Sequence, residues 1–207
     1  GDVYKRQTPP GAALAFSLVL VPNLLGSNQL SRITGLGAVV VCEVLKNVYG
    51  LGSQIKWPND VLVNEGKLAG VLVETQWQGD DLQSVVLGIG INIAQRSVPP
   101  ESELNFPATC VETALGCPVD RWNLLKEILE VTIGWLPNLD QMEFLQAWEG
   151  NLAYQMEWVQ LFSDGPEPVV GRLLGLDSDG SLHLELPDGE KRFFQAGEVH
   201  LRVVDRS

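Results

Sequence analysis

The sequence predicts an α+β domain followed by a small all-β module. Two patterns carry this reading. Up to about residue 150, long helical periodicities alternate with strand-like apolar segments; after Leu152 only short strands and Asp/Gly turns remain. The chain has 207 residues, 45% of them hydrophobic, which suffices for one ordinary domain with a core plus a small second one. The boundary falls near residues 150–154, giving domains 1–153 and 154–207.

Residues 1–7 match no recognisable pattern and read as a fragment edge, and Thr8-Pro9-Pro10-Gly11 is a turn. Residues 14–21 form an apolar segment, expected to be a buried strand. Residues 27–49 are helical: Ser27 suits a cap, and Leu30, Ile33, Leu36, Val40, Val44 and Val48 recur at helical spacing until Gly50-Leu51-Gly52 ends the run. Residues 54–57 make a strand that Pro58 stops. A hairpin follows, 61–63 against 68–75, turning at Asn64-Glu65-Gly66. A polar loop is expected at 76–81, then a strand at 84–93 whose apolar continuity predicts burial on both faces. After a Pro-rich loop at 98–107 come helices at 109–115, 121–135 (capped by Asp120) and 139–148. Strands at 157–162, 169–176, 181–186, 191–195 and 199–203 complete the small module, with turns at 177–180 and 187–189.

Composition removes several classes of function. A net charge of −12 and a pI near 4.5 argue against nucleic acid or an anionic membrane as the main partner. Cys42, Cys110 and Cys117 are scattered without a CxxC spacing, the usage of a reduced, cytoplasmic protein. With His183 and His200 the only histidines, a zinc site has no support. The apolar run at 11–21 is too short to span a bilayer and lacks the order of a targeting signal. Gly35-Leu36-Gly37 lies inside a helix pattern, so it is no dinucleotide fingerprint, and no P-loop or Gly-x-Ser-x-Gly occurs.

The chemistry concentrates in Lys56-Trp57-Pro58-Asn59-Asp60-Val61, in Lys67-Leu68-Ala69-Gly70-Val71-Leu72 and in Gly88-Ile89-Gly90-Ile91-Asn92. Two lysines and a carboxylate around one hairpin suit an anionic substrate and a nucleotide. Lys67 opens a strand after a tight turn, where its ammonium can be fixed between a carboxylate and a phosphate; taken alone it is an ordinary solvated strand-start lysine. Pro58 presets the direction of the residues after Trp57, making Asp60 a candidate for Mg²⁺ or for a ribose or incoming-amine contact; Asn59 and Asp60 equally suit a simple turn. Gly88, Gly90 and Asn92 share one strand face, where two positions without side chains admit a flat ligand and Asn92 offers a donor and an acceptor. The same glycines equally suit close packing of a helix. Gly70, with Leu68, Leu72 and Trp57, borders an apolar slot, or Leu68 and Leu72 are simply core.

These three motifs, in this order, closely resemble the signature of the biotin protein ligases, and the likeness extends over almost the whole chain from Thr8. It implies a mixed β-sheet with helices on one side, related to class II aminoacyl-tRNA synthetases and lipoate ligases, plus a C-terminal SH3-like β-barrel. It implies an ATP- and Mg²⁺-dependent enzyme that activates biotin as biotinyl-5′-AMP and passes it to one lysine of a biotin carboxyl carrier protein, and it admits a homodimer. By resemblance, Lys67 contacts the biotin carboxylate and α-phosphate. Trp57, Gly70, Leu72 and Gly90 border biotin. Lys56, Asn59, Asn92 and Arg202 serve the nucleotide, and Asp60 serves the metal or the acceptor lysine. The family's Gly-Arg-Gly-Arg-x-Gly-Arg loop would lie immediately before Thr8, where this sequence has residues 1–7, so an N-terminally incomplete catalytic domain without a helix-turn-helix is expected. A non-catalytic biotin-binding fragment and a lipoate-type acyl ligase are the alternatives. The larger domain is expected to fold without the small module.

Overall fold

The computed structural model describes residues 8–21, 30–100, 102, 104, 106–162, 167–195 and 200–204; the side chains of residues 30 and 200–202 lie outside the description, as does Ser27. The larger domain holds β1 (Ala13–Leu20), α1 (Leu30–Tyr49), β2 (Gln54–Lys56), β3 (Asp60–Val63), β4 (Gly66–Gln78) and β5 (Asp81–Asn92), then α2 (Val111–Leu115), α3 (Arg121–Trp135) and α4 (Met142–Gly150). The small module holds β6 (Trp158–Phe162), β7 (Val169–Leu176), β8 (Leu182–Glu185), β9 (Lys191–Phe194) and β10 (His200–Val203).

The first sheet runs β1-β5-β4-β3-β2 with antiparallel neighbours. Two isolated parallel bridges, Ile55–Leu152 and Lys67–Ala108, make it mixed. One face is covered by α1, on which α3 and α4 pack in turn. This explains why α1 is apolar nearly all round: Ile33, Leu36, Val40 and Val44 are buried, and so are Val39, Val41 and Leu45. Val48, in the last turn, is exposed. Gly50, at φ +66°, closes the helix: its N–H donates to the Lys46 carbonyl and that of Leu51 to Leu45. The Gly35-Leu36-Gly37 run serves packing. A Cβ on Gly37 would lie 2.7 Å from Val71, and one on Gly35 would lie 2.5 Å from the Trp148 ring. Asp120 caps α3 as expected, accepting from the backbone of Trp122 and Asn123.

Three expectations are corrected. β5 is buried on one face only: Val85, Leu87, Ile89 and Ile91 enter the core, while Gly90 is exposed on the other side. Its apolar continuity came from glycines, which have no side chain to bury. β1 likewise buries Leu14 and Leu20 but turns Ala15, Ser17 and Val19 outward, and among the described strands it is one edge of the sheet, β2 being the other. Residues 76–81 are not a loop. β4 and β5 continue as an exposed ribbon that turns at Gly79, and their polarity reflects that exposure.

The second sheet runs β10-β6-β7-β8-β9, antiparallel throughout, around Val159, Leu161, Leu173, Leu182 and Leu184. Together they form the small barrel-like module. The two modules share a buried junction rather than a bare linker. Residues 151–153 bond to Ile55 of β2, and the turn at 177–180 rests on the larger domain through Trp57 and Trp148.

Candidate active site

The site is built on the face of the first sheet that carries no helix. β3 and β4 join through Asn64 and Glu65, both left-handed (φ 48° and 61°), the backbone of a two-residue primed hairpin turn. The register then slips between Val61 and Leu62, so that Asp60 faces Gly70 while Leu62 faces Lys67. One extra residue on β4 resets the alternation of side chains. Lys67 therefore shares the open face with Gly70, and its Nζ reaches Asp60 Oδ1 at 2.5 Å. That contact is an ion pair without an aligned hydrogen bond on Oδ1. Asp60 is the more buried partner, its side chain 18% exposed against 37% for Lys67.

Beside the pair, the registers line up Asp60, Gly70, Gly90 and Ala15 across β3, β4, β5 and β1. The next row is Leu72, Gly88 and Ser17. The small residues of these two rows floor an open groove of about 490 Å³, within the range of small-molecule sites. A Cβ on Gly70 would touch Lys67 Cε at 3.4 Å and Asp60 Oδ1 at 3.5 Å, so the missing side chain leaves room directly under the charges. A Cβ on Gly90 would meet nothing nearer than the Gly70 carbonyl at 4.0 Å; it would project into the groove. Leu72 stands 61% exposed at the rim, so it is a groove residue and not core.

Lys67 is also held through its backbone. Its N–H donates to the Pro107 carbonyl (2.8 Å), and its carbonyl accepts from Thr109 N–H (3.0 Å). Asn92 Nδ2 donates to the Thr109 carbonyl at 3.1 Å, fixing this strap from the end of β5. Asn59 lines the groove and is pinned to β4: its Nδ2 donates to the Val71 carbonyl (2.8 Å), and its own carbonyl accepts from Val71 N–H (2.9 Å).

Of the residues expected from sequence, Lys67, Asp60, Gly70, Leu72, Gly90 and Asn59 come together on the groove. Trp57 does not. Its side chain is 1% exposed and its indole N–H donates to the Gly180 carbonyl at 3.2 Å, so it belongs to the junction and not to the groove wall. Lys56 places its Nζ 4.0 Å over the Phe106 ring, off the groove lining. Asn92 is committed to the strap and does not line the groove. Arg202 has its backbone in β10, and its side chain lies outside the described residues. Sequence reasoning missed Ala15, Phe16 and Ser17, which line the groove from β1. The alternation of small and large residues in that strand was the signal that could have found them.

Asp60 is the one carboxylate among the lining residues, and Lys67 already occupies its Oδ1. Among the described residues no group of three or more His, Cys, Asp or Glu could hold a metal ion. This donor set does not fit a protein-ligated Mg²⁺, so the assignment of a metal to Asp60 is not carried by the geometry.

Residues 7–92 match the family model described as Biotin/lipoate A/B protein ligase family, and residues 161–202 match Biotin protein ligase C terminal domain. The Biotin--[acetyl-CoA-carboxylase] ligase of Paracoccus denitrificans is 32% identical over 201 residues, covering 92% of this chain and 80% of that protein. The chain belongs to the biotin protein ligase family. A solved biotin protein ligase from Aquifex aeolicus in complex with biotin and ATP superposes with a TM-score of 0.79 at 31% identity, covering 93% of this chain and 79% of that one. The Bifunctional ligase/repressor BirA of Bacillus spizizenii is 32% identical over 198 residues, of which this chain spans 58% of the length. The biotin protein ligase fold thus accounts for both sheets, and the second sheet coincides with the family's C-terminal domain.

Proposed function

We propose that the protein is an ATP-dependent ligase that joins biotin to AMP and transfers the biotinyl group to a lysine of a biotin carboxyl carrier protein. The observation that carries this is the Lys67–Asp60 pair standing at one end of a row with almost no side chains. The row admits a flat ring system against the backbone, and the pair supplies a fixed cation where a carboxylate ends. The biotin- and ATP-bound state of the Aquifex relative supports the choice of ligands.

In the first step the biotin carboxylate oxygen attacks the α-phosphorus of ATP and pyrophosphate leaves. Lys67 lies where it can offset the repulsion of the two anions and hold the charge that develops on phosphorus. In the second step the carrier amine attacks the acyl carbon and AMP leaves with the bonding pair. The amine gives up a proton, and Asp60 is the carboxylate on the groove positioned to accept it once Lys67 turns to phosphate. Asn59 fixes the approach of Asp60 through its two bonds to Val71. Mg²⁺ would arrive on the nucleotide's own oxygens. The domain limits 1–153 and 154–207, the nucleotide roles of Lys56, Asn92 and Arg202, a homodimer and a cytoplasmic setting belong to this proposal. Among the described residues, no helix is long and apolar enough to cross a membrane.

The test incubates the protein with biotin, ATP and a carrier domain, and follows the acceptor by mass. A biotin-sized increment that requires ATP, and is lost in Lys67→Ala, supports the reading. An acceptor modified by lipoate and not by biotin would replace it with the lipoate-type alternative; biotin binding without transfer would leave a binding fragment.

A further inference from the structure

The turn at 177–180 of the small module is held on the larger domain by contacts spread along it. Ser31 Oγ donates to the Asp179 carbonyl at 2.6 Å, and Arg32 donates to the Ser178 and Leu139 carbonyls. Glu149 Oε1 accepts from Leu176 N–H at 3.1 Å. Trp148, fully buried, lies between Gly35 and Gly180: a Cβ on either glycine would come within 2.5 Å or 2.4 Å of its ring. Gly180 is therefore fixed in place, with φ +86° and no room for a side chain. Its carbonyl is the acceptor for the buried Trp57 indole N–H.

Trp57 stands in the motif that shapes the groove, three residues before Asp60, yet it faces away from the groove. The connection from β2 to β3 thus has two anchors: Asn59 on Val71 at the groove side and Trp57 on Gly180 at the module side. We propose that Trp57 is a positioning residue, through which the small module sets the place of Asp60 and of the Lys67 ion pair in a groove that no described residue of the module lines. A buried indole N–H that loses its acceptor carries an unmet donor, so the turn and the Gly180 carbonyl move together. The catalytic consequence rests on the ligase reading; the positioning itself does not.

The experiment compares the protein with Trp57→Phe, Asp60→Asn and the double variant. The carboxyl carbon resonance of Asp60, assigned by its loss in Asp60→Asn, is expected to shift in Trp57→Phe while that of Asp188 stays. Biotin-dependent pyrophosphate release is expected to fall about tenfold in kcat, with KM for biotin within about twofold. The double variant is expected to be no slower than Asp60→Asn alone, because Trp57 acts through Asp60. Equal loss from Trp57→Phe in both backgrounds, or an unmoved Asp60 resonance, would overturn the proposal. Should Trp57→Phe not fold, Ser31→Ala removes an exposed anchor of the same turn and is expected to move the Asp60 resonance in the same way; no movement there overturns it too. A wild type without adenylating activity would sink the ligase reading while the resonances still decide the positioning.

Discussion

Lys67 and Asp60 form their ion pair on a side of β4 that strict strand alternation would have denied to Lys67. Gly70, the residue opposite Asp60, faces the groove, and counting back by twos from it reaches Leu68, not Lys67. The register shift re-aims the lysine. A site that depends on one extra strand residue is sensitive to changes at either charge, and the first prediction follows from this.

Lys67→Ala should reduce biotinyl-adenylate formation by at least about 10²-fold, the usual cost of removing one fixed charge from a developing anion. The side chain is 37% exposed, so the fold should persist. Pyrophosphate release at near wild-type rate would show that the cation has no part in the chemistry.

Gly90→Val and Gly35→Ala should separate groove from core. The first points into open space, so biotin affinity measured by calorimetry should collapse while Tm changes little. The second drives a methyl into the Trp148 ring, and Tm should fall with the protein otherwise intact in its groove. Unchanged biotin affinity in Gly90→Val would place the ligand elsewhere.

Asn92→Ala should loosen the strap at 107–109 that clamps the Lys67 backbone. Hydrogen exchange at Lys67 and Thr109 should accelerate, with the centre of β5 at Ile89 unaffected. Protection equal to wild type at both amides would mean that the strap holds without Asn92.

Burial pushes the Cys42 thiol up to about 11 from an ordinary 9.0, with the Ser53 hydroxyl acting in the opposite direction. The folded state therefore favours the protonated thiol. Its contribution is whole below pH 9, is lost as pH rises towards 11, and amounts to about 3 kcal/mol at most. Chemical denaturation across that window should show a decline that Cys42→Ala lacks. At pH 8 a thiol reagent should label exposed Cys117 quickly, and Cys42 and Cys110 only on unfolding. Rapid labelling of all three would contradict this burial.

Much of the architecture could be read from residue order. The α1 stripe, the Asp120 cap, the Asn64-Glu65 turn and the strands after Leu152 each carry a local signal that tertiary packing did not override. The three motifs pointed to Lys67, Asp60, Gly70 and Gly90 for the same reason. What was not legible depends on register. The slip between Val61 and Leu62 has no sequence mark, and neither does the strap from residues 107–109. Trp57 was misplaced because an aromatic in a ligand motif reads as a pocket wall; nothing nearby in sequence announces Gly180, 123 positions on, as its partner.

The indoles of Trp57 and Trp148 lie under a turn that belongs to the other sheet, and this bears on how the molecule comes apart. Drawing the two sheets away from each other would bring into water the faces of both rings that the turn covers. An indole hides roughly 150–250 Å², worth about 4–6 kcal/mol at 25 cal/mol per Å² as an upper estimate. Two of them approach the whole stability of an ordinary domain, about 5–15 kcal/mol. A half-dissociated intermediate gains little over the fully denatured chain. The equilibrium melt should therefore be all-or-none, with the red shift of tryptophan emission tracking the loss of far-UV ellipticity at a single midpoint.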